Sequence, residues 1–188
     1  MKRQAITLGR IGILVPIAVI IPFLGALAGL AAMILLLFSH YYFGQSYEKP
    51  EIFKKALTGT IIAVAGNIIG GIFLTIGLGT AIFSSAETGL DLSNYQELMG
   101  QIFGSGISIF GVIIMLAGGI VGVYFVFKSL QTLADQTNIK LFKTAGLLYL
   151  IGVITTVIFV GGIIFFVGWI LHIIAYFSMK TDQEVVTS

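Results

Sequence analysis

The two histidines of this sequence are the residues whose chemistry first suggests a bound cofactor. His40 begins the aromatic stretch His-Tyr-Tyr-Phe, and His172 lies about 12 Å, by helical rise, from Lys180. Two histidines on separate helices could ligate a haem iron through both axial positions. Because no second cofactor motif accompanies them and nothing indicates a shared depth, we predict no cofactor and no metal, and expect interfacial or internally hydrogen-bonded side chains.

Other groups with catalytic chemistry are scarce. The chain has no cysteine, which excludes thiolate metal sites and cysteine nucleophiles, and it contains no zinc motif, phosphate loop or paired carboxylates. Its methionines, Met33 among them, show no ligand clustering and are expected to fill space in the packing. We therefore predict that the protein is not an enzyme and has no catalytic residue.

The composition is that of an integral membrane protein. Of 188 residues, 57% are apolar and 10% are charged, and the mean hydropathy is +1.07. The charges separate four charge-free windows, and each is longer than the roughly 20 apolar residues that cross a bilayer. No Asp or Glu lies in any window, which argues against a pump built on a membrane carboxylate. Basic residues are not clustered as nucleic-acid binding requires, so no nucleic-acid partner is expected.

The first and last windows are long enough to cross the membrane twice. Pro22 to Gly25 interrupts the first window, and Gly161-Gly162 lies in the middle of the last. Lysines occur in the segments 48–55 and 128–143 but not in 87–97, so the rule that places positive charge in the cytoplasm puts both termini inside. The alternative is that the outer windows form re-entrant segments packed inside the protein.

We therefore predict an all-α, polytopic helical bundle of about six spans, forming one membrane domain over residues 1–188. Helical hairpins form its two outer windows, and both termini are cytoplasmic. The predicted spans are 5–21, 24–46, 56–84, 101–128, 143–160 and 163–180.

Small residues in the third and fourth predicted spans are spaced as helix-packing faces. In lipid, small residues allow helix backbones to approach closely. The face in the third span repeats at intervals of 4, 3, 4 and 7 residues and consists of Gly59, Ala63, Gly66, Gly70 and Gly77. The face in the fourth span repeats at 4, 3, 7 and 4 and consists of Gly104, Ser108, Gly111, Gly118 and Gly122. We predict that these two faces pack together; a hinge or a pore wall of exposed backbone is the alternative.

Asn67 is the polar side chain near the centre of the third predicted span. Amide side chains in membrane helices commonly hydrogen-bond to a neighbouring helix. We expect Asn67 to make such an interhelical bond, and contact with a substrate is the alternative.

Several segments resemble a family of small prokaryotic multi-pass membrane proteins catalogued only as a domain of unknown function. They are Leu8-Gly-Arg-Ile-Gly12, Glu51-Ile-Phe-Lys-Lys-Ala-Leu57, Leu141-Phe-Lys-Thr-Ala-Gly-Leu-Leu-Tyr-Leu-Ile-Gly152 and Ile174-Ala-Tyr-Phe177. The resemblance covers nearly the whole chain. It implies a membrane location and supplies no activity, ligand or catalytic residue.

These observations favour a non-catalytic protein of the cell membrane, acting as an accessory, assembly or structural subunit. Its expected partners are the lipid bilayer and either another copy of itself or another membrane protein. The alternative is a passive channel or small-molecule transporter whose path is lined by glycine backbone, Asn67 and threonines.

Overall fold

A computed structural model describes residues 1–20, 25–88, 100, 104–156 and 160–179, and these ranges contain helices and turns but no β-strand. Six α-helices account for most of them. They are α1 (Lys2–Leu14), α2 (Gly25–Ser46), α3 (Glu51–Thr88), α4 (Gly106–Thr137), α5 (Lys140–Thr155) and α6 (Gly161–Phe177). A 3₁₀ segment, Val15–Ile20, follows α1. The prediction of an all-α fold is confirmed.

Three helical segments in the described part of the chain are long and apolar enough to cross a membrane. They are Leu27–Ser46, Glu51–Thr80 and Gly106–Thr137, and Gly161–Phe177 is a shorter apolar helix. A membrane protein is therefore supported by the helices as well as by the composition. Helix α1 alone would be only about 20 Å long, but with its 3₁₀ extension it reaches roughly 32 Å, close to the thickness of the hydrocarbon layer.

The predicted span boundaries differ from the helix ends. Helix α1 ends at Leu14 instead of continuing to residue 21, because Pro16 lacks an N–H and its ring disfavours a regular α-helix. Helix α3 begins five residues early, at Glu51, where an acidic side chain in the first turn favours a helix start and forms an ion pair of 2.8 Å with Lys55. Helix α4 continues nine residues beyond the predicted end at 128. The predicted break at Pro22 lies outside the described residues.

The chain forms two compact units, and the single membrane domain expected from the sequence stays a prediction. The first comprises residues 1–60 and 123–188, and the second comprises residues 61–122. In the first unit, α1 packs against α2 and α6, and α5 packs against α6. Its core includes several fully buried side chains, namely Ile6, Phe43, Ile52, Leu130, Phe142 and Tyr176.

Hydrogen bonds from side chains to helix carbonyls connect the helices of the first unit. Ser39 Oγ donates to Ala5 O at 2.7 Å and lies 3.2 Å from the Tyr176 hydroxyl, which joins α2 to α1 and α6. Arg10 donates to the carbonyls of Tyr176 and Met179 at the end of α6, where the helix leaves carbonyls without helical partners. Because these bonds satisfy groups that lipid could not, they stabilise the packing of α1 against α6.

The second unit is a close pair of helical segments from α3 and α4. A methyl group built at Gly66 would lie 2.8 Å from the Cα atom of Gly118, and a methyl group built at Gly118 would lie 2.8 Å from the Cα atom of Gly66. One methyl built at Gly111 would lie 3.0 Å from the backbone nitrogen of Leu74. The two backbones are therefore in contact at these glycines, and no larger residue fits there without a shift.

Candidate functional site

His40 lies on α2 with one ring nitrogen engaged and the other without a partner. Its Nδ1 atom is 2.7 Å from the carbonyl oxygen of Leu36, one turn earlier in the same helix. A carbonyl only accepts hydrogen bonds, so Nδ1 carries the proton and the neutral ring presents a lone pair at Nε2. That Nε2 atom is buried and makes no hydrogen bond.

His172 has the same arrangement on α6. Its Nδ1 atom is 3.1 Å from the hydroxyl oxygen of Tyr149, a residue of α5, and its Nε2 atom is buried without a partner. The ring stacks on Tyr176, with ring centres 5.1 Å apart, and meets the edge of Phe142 at 5.7 Å. Aromatic contacts and one hydroxyl therefore hold this imidazole in place.

Both histidines line one cavity of about 350 Å³, which we call the histidine cavity. Its wall comes from several helices of the first unit and is almost entirely apolar, with Met33, Trp169 and Tyr149 among its residues. The hydrogen bond between Ser39 and Tyr176 joins the two helices that carry these histidines, because Ser39 precedes His40 and Tyr176 lies one turn after His172. The structure thus brings together two residues that the sequence did not place at one depth.

The expectation of internally hydrogen-bonded histidines agrees with the Nδ1 contacts. It does not account for the Nε2 atoms. A buried polar atom without a partner costs about 1–3 kcal/mol, and the Nε2 atoms of His40 and His172 each carry this cost.

Asn67 does not make the interhelical bond expected of it. Its Nδ2 atom donates to the carbonyl of Ala63 in its own helix at 2.8 Å, and the side chain is exposed on the surface of the chain. The reason is its register: it directly follows Gly66, which faces α4, so the Asn67 side chain turns away from that contact.

The small-residue faces are brought together over part of their predicted length. Gly66 meets Gly118, Gly70 meets Gly111 and Met115, and Gly77 meets Ser108. Gly104 differs from the other members: it is exposed, no atom of the described residues lies near a methyl built on it, and the helix carrying the face begins only at Gly106. The remaining members of the two faces are at least partly buried, and these are Gly59, Ala63 and Gly122. The energetic role of the faces stays a prediction.

Two contributors to the histidine cavity were missed by reasoning from the sequence. Tyr149 holds His172, and Trp169 donates through Nε1 to the carbonyl of Ile13 at 3.0 Å. Their only sequence signal is that each can hydrogen-bond from an apolar helix, which does not identify a partner 23 or 156 residues away.

Comparison with known proteins gives a family and a relative. Residues 28–170 match the family described as protein of unknown function (DUF996). The chain is also 27% identical over 160 residues to a protein of Methanocaldococcus jannaschii described as uncharacterized, covering 85% of this chain and 84% of that protein. No solved structure matches it. Because the family match extends over most of the chain and includes both small-residue faces and His40, the protein belongs to the DUF996 family.

Proposed function

We propose that this protein is a non-catalytic, multi-pass protein of the cell membrane that serves as an assembly or accessory subunit. Asn67 is the observation that carries the proposal. It lies near the middle of the apolar segment Glu51–Thr80, and its side chain is exposed on the outside of the chain. One N–H of the Asn67 amide donates to the carbonyl of Ala63 in the same helix. The second N–H and the amide oxygen of Asn67 are therefore available for another hydrogen bond.

An exposed amide at that depth favours a protein neighbour over lipid. Hydrocarbon offers no hydrogen-bond partner, and an amide in a membrane helix associates with polar groups on other helices. Large apolar side chains surround Asn67 on the same outer surface, including Ile68 at 59% exposure and Ile72 at 54%. This combination of one polar group and a broad apolar surface suits another membrane helix, from a second copy or from a different protein.

The competing function, a passive channel along the glycines, has less support. A water path between α3 and α4 would need space at the small-residue faces, and backbone contacts backbone at Gly66 and Gly118. Lys55, near the start of α3, also forms a local ion pair with Glu51. We further propose six crossings with both termini in the cytoplasm, on the support of the lysine distribution.

Substitution of Asn67 by Leu tests the assembly function. We expect Asn67→Leu to reduce association in native membranes while leaving the fold intact, because the bond lost within the chain is only to its own helix. The measurement is photo-crosslinking from a photoreactive residue at position 72, followed by electrophoresis and mass spectrometry of the crosslinked products.

Thr75→Val is the matched control. Thr75 is also exposed on α3 and donates to the carbonyl of Gly71 in its own helix at 2.9 Å, so its hydroxyl is satisfied locally and the crosslinks should persist. Crosslinks to lipid alone in the unsubstituted protein would contradict an assembly role. Ion flux in liposomes that disappears with Asn67→Leu would support the channel instead.

A further inference from the structure

The histidine cavity is large enough to hold a ligand and is lined by residues from all six α-helices. Helices α3 and α4 contribute through Ala56 and Val126, which belong to the first unit like the rest of the wall. Its volume of about 350 Å³ lies in the range of small-molecule sites, roughly 300–1,000 Å³, whose walls are mostly apolar and aromatic. An empty space of this size would leave the wall atoms without contacts on one side, so an occupant that fills it is favoured.

The polar side chains of the described wall are already bonded within the chain. Thr60 and Trp169 each donate to a main-chain carbonyl, at 2.9 and 3.0 Å, and the Tyr149 hydroxyl lies 3.1 Å from Nδ1 of His172. The Nδ1 atom of His40 is bonded to a carbonyl, and both Nε2 atoms are buried away from the cavity. Water in a cavity needs about two to four polar partners. This wall therefore suits a hydrocarbon better than water or a polar molecule.

A second apolar cavity adjoins the first and reaches the surface of the chain. We call it the outer cavity; its volume is about 410 Å³, and it shares Pro16, Phe165 and Trp169 with the wall of the histidine cavity. Its other described wall residues are Gly162 and Phe166. Phe166 is 55% exposed, and a methyl group built at Gly162 would meet nothing within 4 Å. The two cavities together suit an elongated apolar molecule that enters from the surface.

The position of the wall indicates where such a molecule comes from. The α2 part of the wall lies within the apolar segment Leu27–Ser46, which is long enough to cross a membrane, and Trp169 lies on the apolar helix Gly161–Phe177. Lipid chains are the hydrocarbon available at that depth. A helix from another protein does not fit, because one turn is about 10 Å wide and 5.4 Å long and would exceed the histidine cavity in volume.

We propose that one hydrocarbon chain of a membrane lipid occupies the histidine cavity and reaches it through the outer cavity, past Trp169. The lipid site is separate from the assembly function proposed above, because both cavities lie in the unit formed by residues 1–60 and 123–188, whereas Asn67 lies in residues 61–122.

Fluorescence of Trp169 tests the site, because this residue lines both cavities and is the single tryptophan of the sequence. The full-length protein in detergent is titrated with a phosphatidylcholine brominated in the middle of its acyl chains, since bromine quenches tryptophan on contact. We expect saturable quenching that the same lipid without bromine reverses. Native mass spectrometry of the protein should show one retained lipid per chain.

Two substitutions that fill the cavities provide the variants. Gly29 lines the histidine cavity and Gly162 the outer cavity, and a methyl group at either glycine would meet nothing within 4 Å. The fold should therefore tolerate Gly29→Leu and Gly162→Leu, and we expect each to weaken lipid binding roughly 10-fold or more, as crowding does in apolar pockets. Ala31→Leu is the matched control, because Ala31 is exposed on the same helix as Gly29 and lines neither cavity.

The elution volume in size-exclusion chromatography and the thermal stability of each variant report whether it is folded. Equal quenching in the wild-type protein and in both folded cavity variants would overturn the proposal, because lipid on the outer surface alone would then reach Trp169. Absence of saturable quenching and of a retained lipid in the folded wild-type protein would overturn it as well. Asn67→Leu should leave the quenching unchanged, so the lipid site and the assembly function can fail independently.

Discussion

Several single side chains in this protein donate hydrogen bonds to backbone carbonyls of neighbouring helices. Ser129 Oγ donates to Ile52 O at 2.6 Å, Trp169 Nε1 donates to Ile13 O, and Arg10 reaches the end of α6. Helix carbonyls keep a second lone pair after the helical bond is made, so they can accept from a neighbouring helix. These contacts specify which helices pack together.

Ser39 offers a measurable case, because it is fully buried and bonds to two other helices. We expect Ser39→Ala to lower the free energy of unfolding by about 1–3 kcal/mol, since the Tyr176 hydroxyl then loses its partner inside the core. Unfolding of the protein in detergent, followed by Trp169 fluorescence, measures the loss.

A second substitution at the same contact checks the cause. Tyr176→Phe combined with Ser39→Ala should cost less than the sum of the single variants, because each removes the same hydrogen bond. Ser178→Ala, which removes an exposed hydroxyl bonded to its own helix at Ile174 O, should leave stability nearly unchanged. Fully additive losses would show that the Ser39 hydroxyl contributes separately from Tyr176.

Helices α3 and α4 show how small residues allow two helices to pack closely. Glycine weakens a water-exposed helix by roughly 1 kcal/mol relative to alanine, yet it lets two backbones touch in lipid, where the hydrophobic effect does not drive helix association. The contact between Gly66 and Gly118 follows from this, and glycines outside it, such as Gly71 and Gly79, have open space beside them.

Alanine substitution should therefore have opposite effects at two nearby glycines. We expect Gly66→Ala to destabilise the helix pair by about 1–3 kcal/mol, because a methyl group there would lie 2.8 Å from Gly118 Cα. Gly71→Ala should be neutral or slightly stabilising, since its methyl would meet nothing within 4 Å. Thermal unfolding in the same detergent compares the two, and equal losses at both positions would remove the argument from close packing.

Considered as a whole, the molecule combines long apolar helices with short charged segments, and this arrangement determines its expected orientation in the membrane. Lysines lie at the start of α3 and near the boundary between α4 and α5, whereas residues 87–97 carry only acidic charges. Loops with an excess of lysine or arginine usually stay on the cytoplasmic side of the membrane. We therefore expect both of these loops, and both termini of the chain, to lie in the cytoplasm.

Reporter fusions test that arrangement directly. Reporters placed after Ser188 or within residues 45–49 should stay in the cytoplasm, and one inserted at Ser93 should be exported, because lysines flank the first two sites and not the third. An alkaline phosphatase and a fluorescent protein at each site provide paired readouts. Export of the C-terminal reporter would reduce the last window to a single crossing.

The sequence by itself determined the membrane class, the helical content and most of the spacing of the small-residue faces. These properties follow from composition and from periodicities within one helix, which are local and readable without a fold. Helix ends were less accurate, because a proline at position 16 and the charged start at Glu51 shift them by several residues.

Only the tertiary structure decided where the polar side chains meet. His40 and His172 reach one cavity because α1, α2, α5 and α6 pack as one unit, and Ser39 meets Tyr176 across 137 residues of sequence. Asn67 illustrates the same limit, since its depth was apparent but its outward direction depended on which face of α3 contacts α4. Contacts between distant helices depend on how apolar surfaces fit together, and an apolar residue can pack in many ways that its own segment does not specify.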